Sequence, residues 1–158
     1  MSARQKESVW DYPRPPVLEP ESRIVRVEFA DKIIAHSSGA YRVLETSHPP
    51  SFYIPSKDVD FSFLINTSHQ SRCEWKGVAE YWTVKVGLQV AENAGWSYPV
   101  PTKKFFAIKS YVSFYPGRMH ACYVGEEKVV AQEGDFYGGW ITSEIEGPFK
   151  GGAGTWGW

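Results

Sequence analysis

Ser71-Arg-Cys-Glu-Trp-Lys-Gly-Val-Ala-Glu-Tyr-Trp-Thr-Val-Lys-Val86 joins a polar loop to the most regular strand pattern in the chain. From Val78 onward the side chains alternate. Val78, Trp82, Val84 and Val86 point one way, and Ala79, Tyr81, Thr83 and Lys85 the other, which is the two-residue period of a strand. Cys73, Trp75, Lys76 and Gly77 precede it, so a cation and an indole stand at the mouth of a strand. A rigid sheet that fixes side chains at an accessible rim is a common setting for a site. Gly87 turns the chain, and Gln89 to Ala94 returns as the partner strand.

The same alternation recurs on both sides. Val25, Val27 and Phe29 face inward against Arg26 and Glu28. Ala30-Asp31-Lys32 then turns into Ile33 to His36, which predicts a hairpin. Tyr41 to Glu45 reads as a further strand, interrupted by the Ser47-His48-Pro49-Pro50 loop, and Phe52 to Pro55 resumes an extended course. Ser56 to Asp60 reads as one helical turn capped by Ser56, and Phe61 to Ile65 as a strand. Thr102 to Ile108 is the best helix prospect in a chain poor in helical periodicity. Tyr111 to Tyr115, His120 to Val124 and Glu127 to Ala131 complete the strands. The expected fold is mainly β, a single compact antiparallel domain with little helix.

A chain of 158 residues is enough for one core and short for two. Residues 1–20 hold Pro13, Pro15, Pro16 and Pro20 and are expected to form an extended surface arm anchored by Trp10 and Tyr12, with residues 21–158 as the domain. The glycine- and aromatic-rich tail from Gly134 is expected to be ordered, since it has no charge run or simple repeat. A net charge of -1 argues against nucleic acid or anionic lipid as partner. No stretch has the length of a membrane span or the apolar core of a secretory signal, so the expectation is a soluble, cytoplasmic protein with reduced thiols at Cys73 and Cys122.

Aromatic residues make up 16% of the chain, which suits a cleft lined by amphipathic rings as well as a β-rich core. His69, Cys73, His120 and Cys122 lack the paired Cys-x-x-Cys spacing of small structural zinc sites, so no metal and no cofactor are expected. Lys150 lies among glycines, but in the wrong order for a nucleotide-binding Gly-x-x-x-x-Gly-Lys-Ser/Thr loop. Glu45, His48 and Lys76 form the acid-base candidate set, flanked by Tyr53, Trp75 and Tyr115. A carboxylate near a lysine in a cleft is the arrangement that tunes pKa values, and an ion pair of Glu45 with Arg42 or Arg72 is the structural alternative. No Gly-x-Ser-x-Gly elbow supports a serine triad.

Several unusual blocks occur together: Arg42-Val-Leu-Glu-Thr-Ser-His-Pro-Pro50, Cys73-Glu-Trp-Lys-Gly77, Ala91-Glu-Asn-Ala-Gly-Trp-Ser-Tyr-Pro99, Phe114-Tyr-Pro-Gly-Arg118 and Phe136-Tyr-Gly-Gly-Trp140. On these blocks the chain resembles the family of domain of unknown function 427 (DUF427) from about Glu7 onward. The resemblance implies a bent-sheet, tent-like β fold similar to that of methionine sulfoxide reductase B, without its paired cysteines. A nucleotidyltransferase label attached to the family has no counterpart in this sequence, which lacks the glycine-serine and spaced-aspartate pattern of two-metal phosphoryl transfer. Family members usually carry Pro where this chain has Glu74, which bears on the shape of the loop before Lys76.

The expected function is binding of a small intracellular molecule, a nucleotide or a related anion, in an aromatic-lined cleft. Arg42 and Lys76 are the expected cationic contacts, with Tyr53, Trp75, Tyr81, Asn93, Trp96, Tyr115 and Trp140 as further ligand-binding candidates. An enzyme using Glu45, His48 and Lys76, and a protein-interaction module, are the alternatives. Glu45 and Lys76 are expected to face one cleft.

Overall fold

A computed structural model describes residues 5–134, 136–155 and 157–158. Its strands in chain order are β1 (Glu7–Ser8), β2 (Val17–Glu21), β3 (Val25–Phe29), β4 (Lys32–Ser37), β5 (Ala40–Leu44), β6 (Ser51–Tyr53), β7 (Leu64–Cys73), β8 (Gly77–Val86), β9 (Gln89–Ser97), β10 (Val112–Phe114), β11 (Ala121–Val124), β12 (Glu127–Lys128), β13 (Val130–Ala131), β14 (Trp140–Ile141) and β15 (Ile145–Glu146). Helix among the described residues is confined to short 3-10 segments, the longest Lys103–Ile108, interrupted at Phe105. The fold is mainly β, with pairing almost wholly antiparallel.

Three sheets carry the architecture, in the orders β10-β9-β8-β7, β12-β11-β3-β4 and β2-β5-β6. The hairpin of β3 and β4 turns through Ala30 (φ 50°) and Asp31 (φ 63°), a left-handed pair matched to the twist of a two-residue connection. Pro20 sits in β2, the edge of its sheet, where a missing N–H is tolerated. A bridge between Ile54 and Val112, with N–H···O distances of 2.8 and 2.9 Å, joins the β2-β5-β6 sheet to the β7–β10 sheet.

β8 keeps its alternation, yet its two halves bury opposite faces. Ala79 and Tyr81 enter one cluster with Trp96, Tyr98 and Tyr53. Val84 enters the other, with Val25, Ile34, Phe114 and Trp140, and Trp82 and Val86 pack against it. Val78 is therefore exposed although it shares a face with Val84. At the crossover both neighbours of β8 are irregular: β7 shifts register between Asn66 and Gln70, and β9 opposite Trp82 to Val84. Thr67 Oγ1 donates to Asn93 Oδ1 across the sheet at 2.7 Å, and Asn93 adopts φ 48° there.

Two local expectations are corrected. Ser56 does not cap the turn Ser56–Asp58, because its hydroxyl donates to Ser110 O at 2.6 Å. Phe61–Phe63 is a 3-10 turn rather than strand, since Asp60 Oδ1 accepts from Ser62 N and nucleates a turn; the strand begins at Leu64.

The first four residues of the expected N-terminal arm lie outside the described residues. Val9 and Tyr12 are buried with Leu44 and Ile145, and β1 pairs in parallel with β15. Trp10 Nε1 donates to Pro148 O at 2.9 Å.

Candidate functional site

The hairpin turn between β7 and β8 is three residues long, Glu74-Trp75-Lys76, and closes through Gly77 at φ 113°. A Cβ there would lie 3.3 Å from Val100 O in a backbone region L residues avoid, so this tight closure needs glycine. The segment after Val100 clamps the turn from behind. Thr102 N donates to Lys76 O at 3.1 Å and Thr102 Oγ1 to Trp75 O at 2.6 Å. Held in this way, the Lys76 side chain lines a cavity of about 270 Å³ and is only 8% exposed.

Three other parts of the chain converge on the same cavity. Val43 and Glu45 reach it from β5 and its end, His48 and Pro49 from the following loop, and Tyr53 from β6. Cys73, Tyr81 and Trp96 line it from β7, β8 and β9. The far wall is Gln132, Phe136 to Gly139 and Lys150. Gly138 lies so close to Trp96 that a Cβ on it would be 2.3 Å from Cη2, and one on Gly139 would be 2.5 Å from Gln132 Oε1. The glycine pair lets this segment lie flat on the aromatic wall.

The rings are tied to one another. Trp96 Nε1 donates to Tyr53 Oη at 3.0 Å, and Ser71 Oγ and Tyr81 Oη share a hydrogen bond of 2.8 Å. Burial pushes the phenols of Tyr53, Tyr98 and Tyr115 up, so all three stay neutral donors. Burial works against the Lys76 ammonium too. Interactions with Tyr53, Cys73 and Glu45 nevertheless hold its pKa above the ordinary lysine value. Lys76 Nζ lies 5.9 Å from the Tyr98 ring centre and 6.0 Å from that of Phe105. Among the described residues it has no carboxylate oxygen within 4.0 Å.

His48 is the opposite case. Burial first, then the charges of Lys150, Arg14 and Lys76, bring its pKa down to about 4. Gln132 fixes which nitrogen carries the proton. Its Oε1 accepts from Gly139 N at 3.0 Å and its Nε2 donates to Lys150 O at 2.6 Å, so the amide can stand only one way round. Nε2 therefore presents a donor to His48 Nδ1 at 3.4 Å, which leaves the proton on His48 Nε2, the nitrogen 3.7 Å from Glu45 Oε2. The ion-pair partner of Glu45 is Arg14, with Nε at 3.7 Å, rather than Arg42 or Arg72.

The structure brings Glu45, His48, Lys76, Tyr53, Trp75, Tyr81, Trp96 and Tyr115 to this one cavity. Three residues singled out in the sequence lie elsewhere. Arg42 is 1% exposed and held by Glu7 and Glu19. Asn93 belongs to the β9 irregularity, and Trp140 is a core ring whose Nε1 donates to Phe114 O at 2.9 Å. No group of three or more His, Cys, Asp or Glu side chains suited to a metal ion occurs among the described residues.

Residues 17–125 match the family described as Domain of unknown function (DUF427). The chain belongs to that family. No curated protein matches it. The DUF427 match contains Glu45, His48, Cys73 and Lys76, whereas Gln132, Tyr137, Gly138 and Lys150 lie beyond it. Sequence reasoning missed Tyr98, Gln132 and Tyr137 as cavity residues. The DUF427 blocks Ala91 to Pro99 and Phe136 to Trp140 held the signal for two of them, since each ends in or contains a Tyr beside Gly or Pro.

Proposed function

We propose that the chain binds a small anionic molecule of the cytoplasm in this cavity, with Lys76 as its charge contact and Tyr53, Trp75, Tyr81, Trp96 and Tyr115 as its aromatic surround. One observation carries the reading: an ammonium that remains charged while nearly buried, with no carboxylate beside it among the described residues. Burial strips water from the ammonium, and an anionic ligand in direct contact replaces that lost hydration with a counter-charge. At about 270 Å³ the cavity is just smaller than the usual site for a drug-sized ligand, which suits a small ion or metabolite, and polar side chains share its lining with the rings.

The test is a thermal-shift panel of phosphate, nucleoside monophosphates and short carboxylates. An anion at a hundred times its Kd adds about 2.7 kcal/mol of stability, which moves the melting temperature visibly. Lys76→Met should keep the fold and lose that shift. A shift of equal size in both proteins, or none for any anion, defeats the reading.

A second reading, acid-base catalysis by Glu45 and His48 on the bound anion, is favoured by the neutral imidazole that Gln132 orients. An imidazole fixed in one tautomer is positioned for proton transfer, and its pKa of about 4 makes it a weak base that would need the bound anion or Glu45 to raise it.

A further inference from the structure

The cavity holds a second lysine. Lys150 lines it from the far wall, with Gln132 and Tyr137. Its backbone is fixed at both ends: the N–H donates to Ser47 O at 2.8 Å, and the carbonyl accepts from Gln132 Nε2 at 2.6 Å. Its Nζ lies 5.5 Å from the centre of the Tyr137 ring, and that ring meets His48 at 4.7 Å in a T-shaped contact. The ammonium donates to Trp158 O at 3.2 Å, which leaves two of its three N–H groups for a ligand. As with Lys76, no Asp or Glu oxygen lies within 4.0 Å of it among the described residues. Of the other charged residues around the cavity, Glu45 is matched by Arg14 at 3.7 Å, and Arg72 and Glu74 are exposed, where water and salt screen them. The less exposed part of the lining therefore carries an excess of positive charge. After burial, both lysine charges help to keep His48 unprotonated.

We propose that the ligand is a short dicarboxylate, with one acid group on Lys76 and the other on Lys150, and that the fixed positions of the two ammoniums select its length. The proposal rests on the anion-binding reading of Lys76. The class follows from the placement of the two charges. Lys76 stands on the turn between β7 and β8, clamped by Thr102, and Lys150 stands on the wall across the cavity, clamped by Ser47 and Gln132. Cations on two walls suit a molecule with an acid group at each end. A cavity of about 270 Å³ holds a spacer of a few carbons, and Tyr53, Trp96 and Tyr137 give that spacer an apolar surround. Because both contacts are held in place before binding, little affinity is lost in ordering them, and a ligand of the wrong length reaches only one.

Calorimetric titration with malonate, succinate and glutarate, each against its monoamide, tests this at neutral pH and constant ionic strength, because the amide keeps the shape and removes one charge. Affinity should be highest at one length, and that diacid should bind the parent more tightly than its monoamide by about tenfold or more, the factor that a charge-assisted hydrogen bond contributes. In Lys150→Met the same diacid should bind no better than its monoamide. If Lys150→Met does not fold, Lys150→Gln, which keeps a donor and loses the charge, takes its place with the same expectation. Equal affinity for diacid and monoamide in the parent overturns the proposal. So does a preference that survives the loss of Lys150 and disappears in Arg72→Met. If the monoamides bind the parent and are lost in Lys76→Met, the anion-binding reading stands and only the second contact falls. If none of these acids binds, both fall.

Discussion

His48 differs from an ordinary histidine because the fold withdraws it from water and places it among cations. In the unfolded chain it binds a proton near pH 6.5, but in the folded chain only near 4. Between those values the unfolded state holds more protons, so stability falls as pH drops through that window and is complete above it. The loss at the acid end is about 3 kcal/mol. In melting curves from pH 7 to 4 the parent should lose stability relative to His48→Gln as pH falls, because the variant lacks this term. Parallel curves would show that the imidazole charges freely in the folded state. Lys76 sits a short way off under similar burial and keeps its proton, which shows how the same withdrawal from water acts on two bases with different neighbours.

At the scale of elements, the cavity depends on how closely one segment lies on another. Gly138→Ala places a methyl group 2.3 Å from Trp96, which is buried and hydrogen-bonded to Tyr53 and so has nowhere to go. Chemical denaturation should show a loss of about 1 to 3 kcal/mol, the usual cost of an overpacked contact, with a weakened anion shift. The main strands were legible in the sequence, because Val25 to Phe29 and Val78 to Val86 alternate. The cleft residues at strand ends followed from the same pattern. Arg42 was misplaced as a ligand contact because a strand position tells which face a side chain takes, not whether Glu7 and Glu19 will meet it there. Of the far wall the sequence marked only the Phe136 to Trp140 block, without its place. That stretch has neither period, and the positions of Gly138 and Gly139 are set by contacts with Trp96, Pro49 and Gln132 that no local pattern encodes.

For the molecule as a whole, Arg42 ties the N-terminal segment to the sheet. It lies opposite Glu19 in the β2–β5 ladder and bonds Glu7 of β1 at 3.1 Å, and Glu7 in turn accepts from Tyr12 Oη at 2.6 Å. Arg42→Met removes the cation and leaves two carboxylates facing each other. Since both are partly exposed, the expected cost is about 1 to 3 kcal/mol, below that of a fully buried pair. Urea unfolding measures it, and hydrogen exchange should show residues 7–12 losing protection first. An unchanged midpoint would mean that the arm is held by Val9, Tyr12 and Ile145 alone.

The parallel pair of β1 and β15 also sets a timetable. Its partners are Glu7 with Ile145 and Ser8 with Glu146, so β1 waits for residues 145 and 146 to be made. Domains fold as the ribosome delivers them, at about 5 to 20 residues per second. The β3–β4 and β7–β8–β9 hairpins close from near neighbours and are complete early, whereas the Gly138 wall and the β1 seam cannot form until residues 138 to 146 have been delivered. A nascent chain halted after β12 would already hold Cys73 and Lys76 on their hairpin, but in an open trough rather than a cavity.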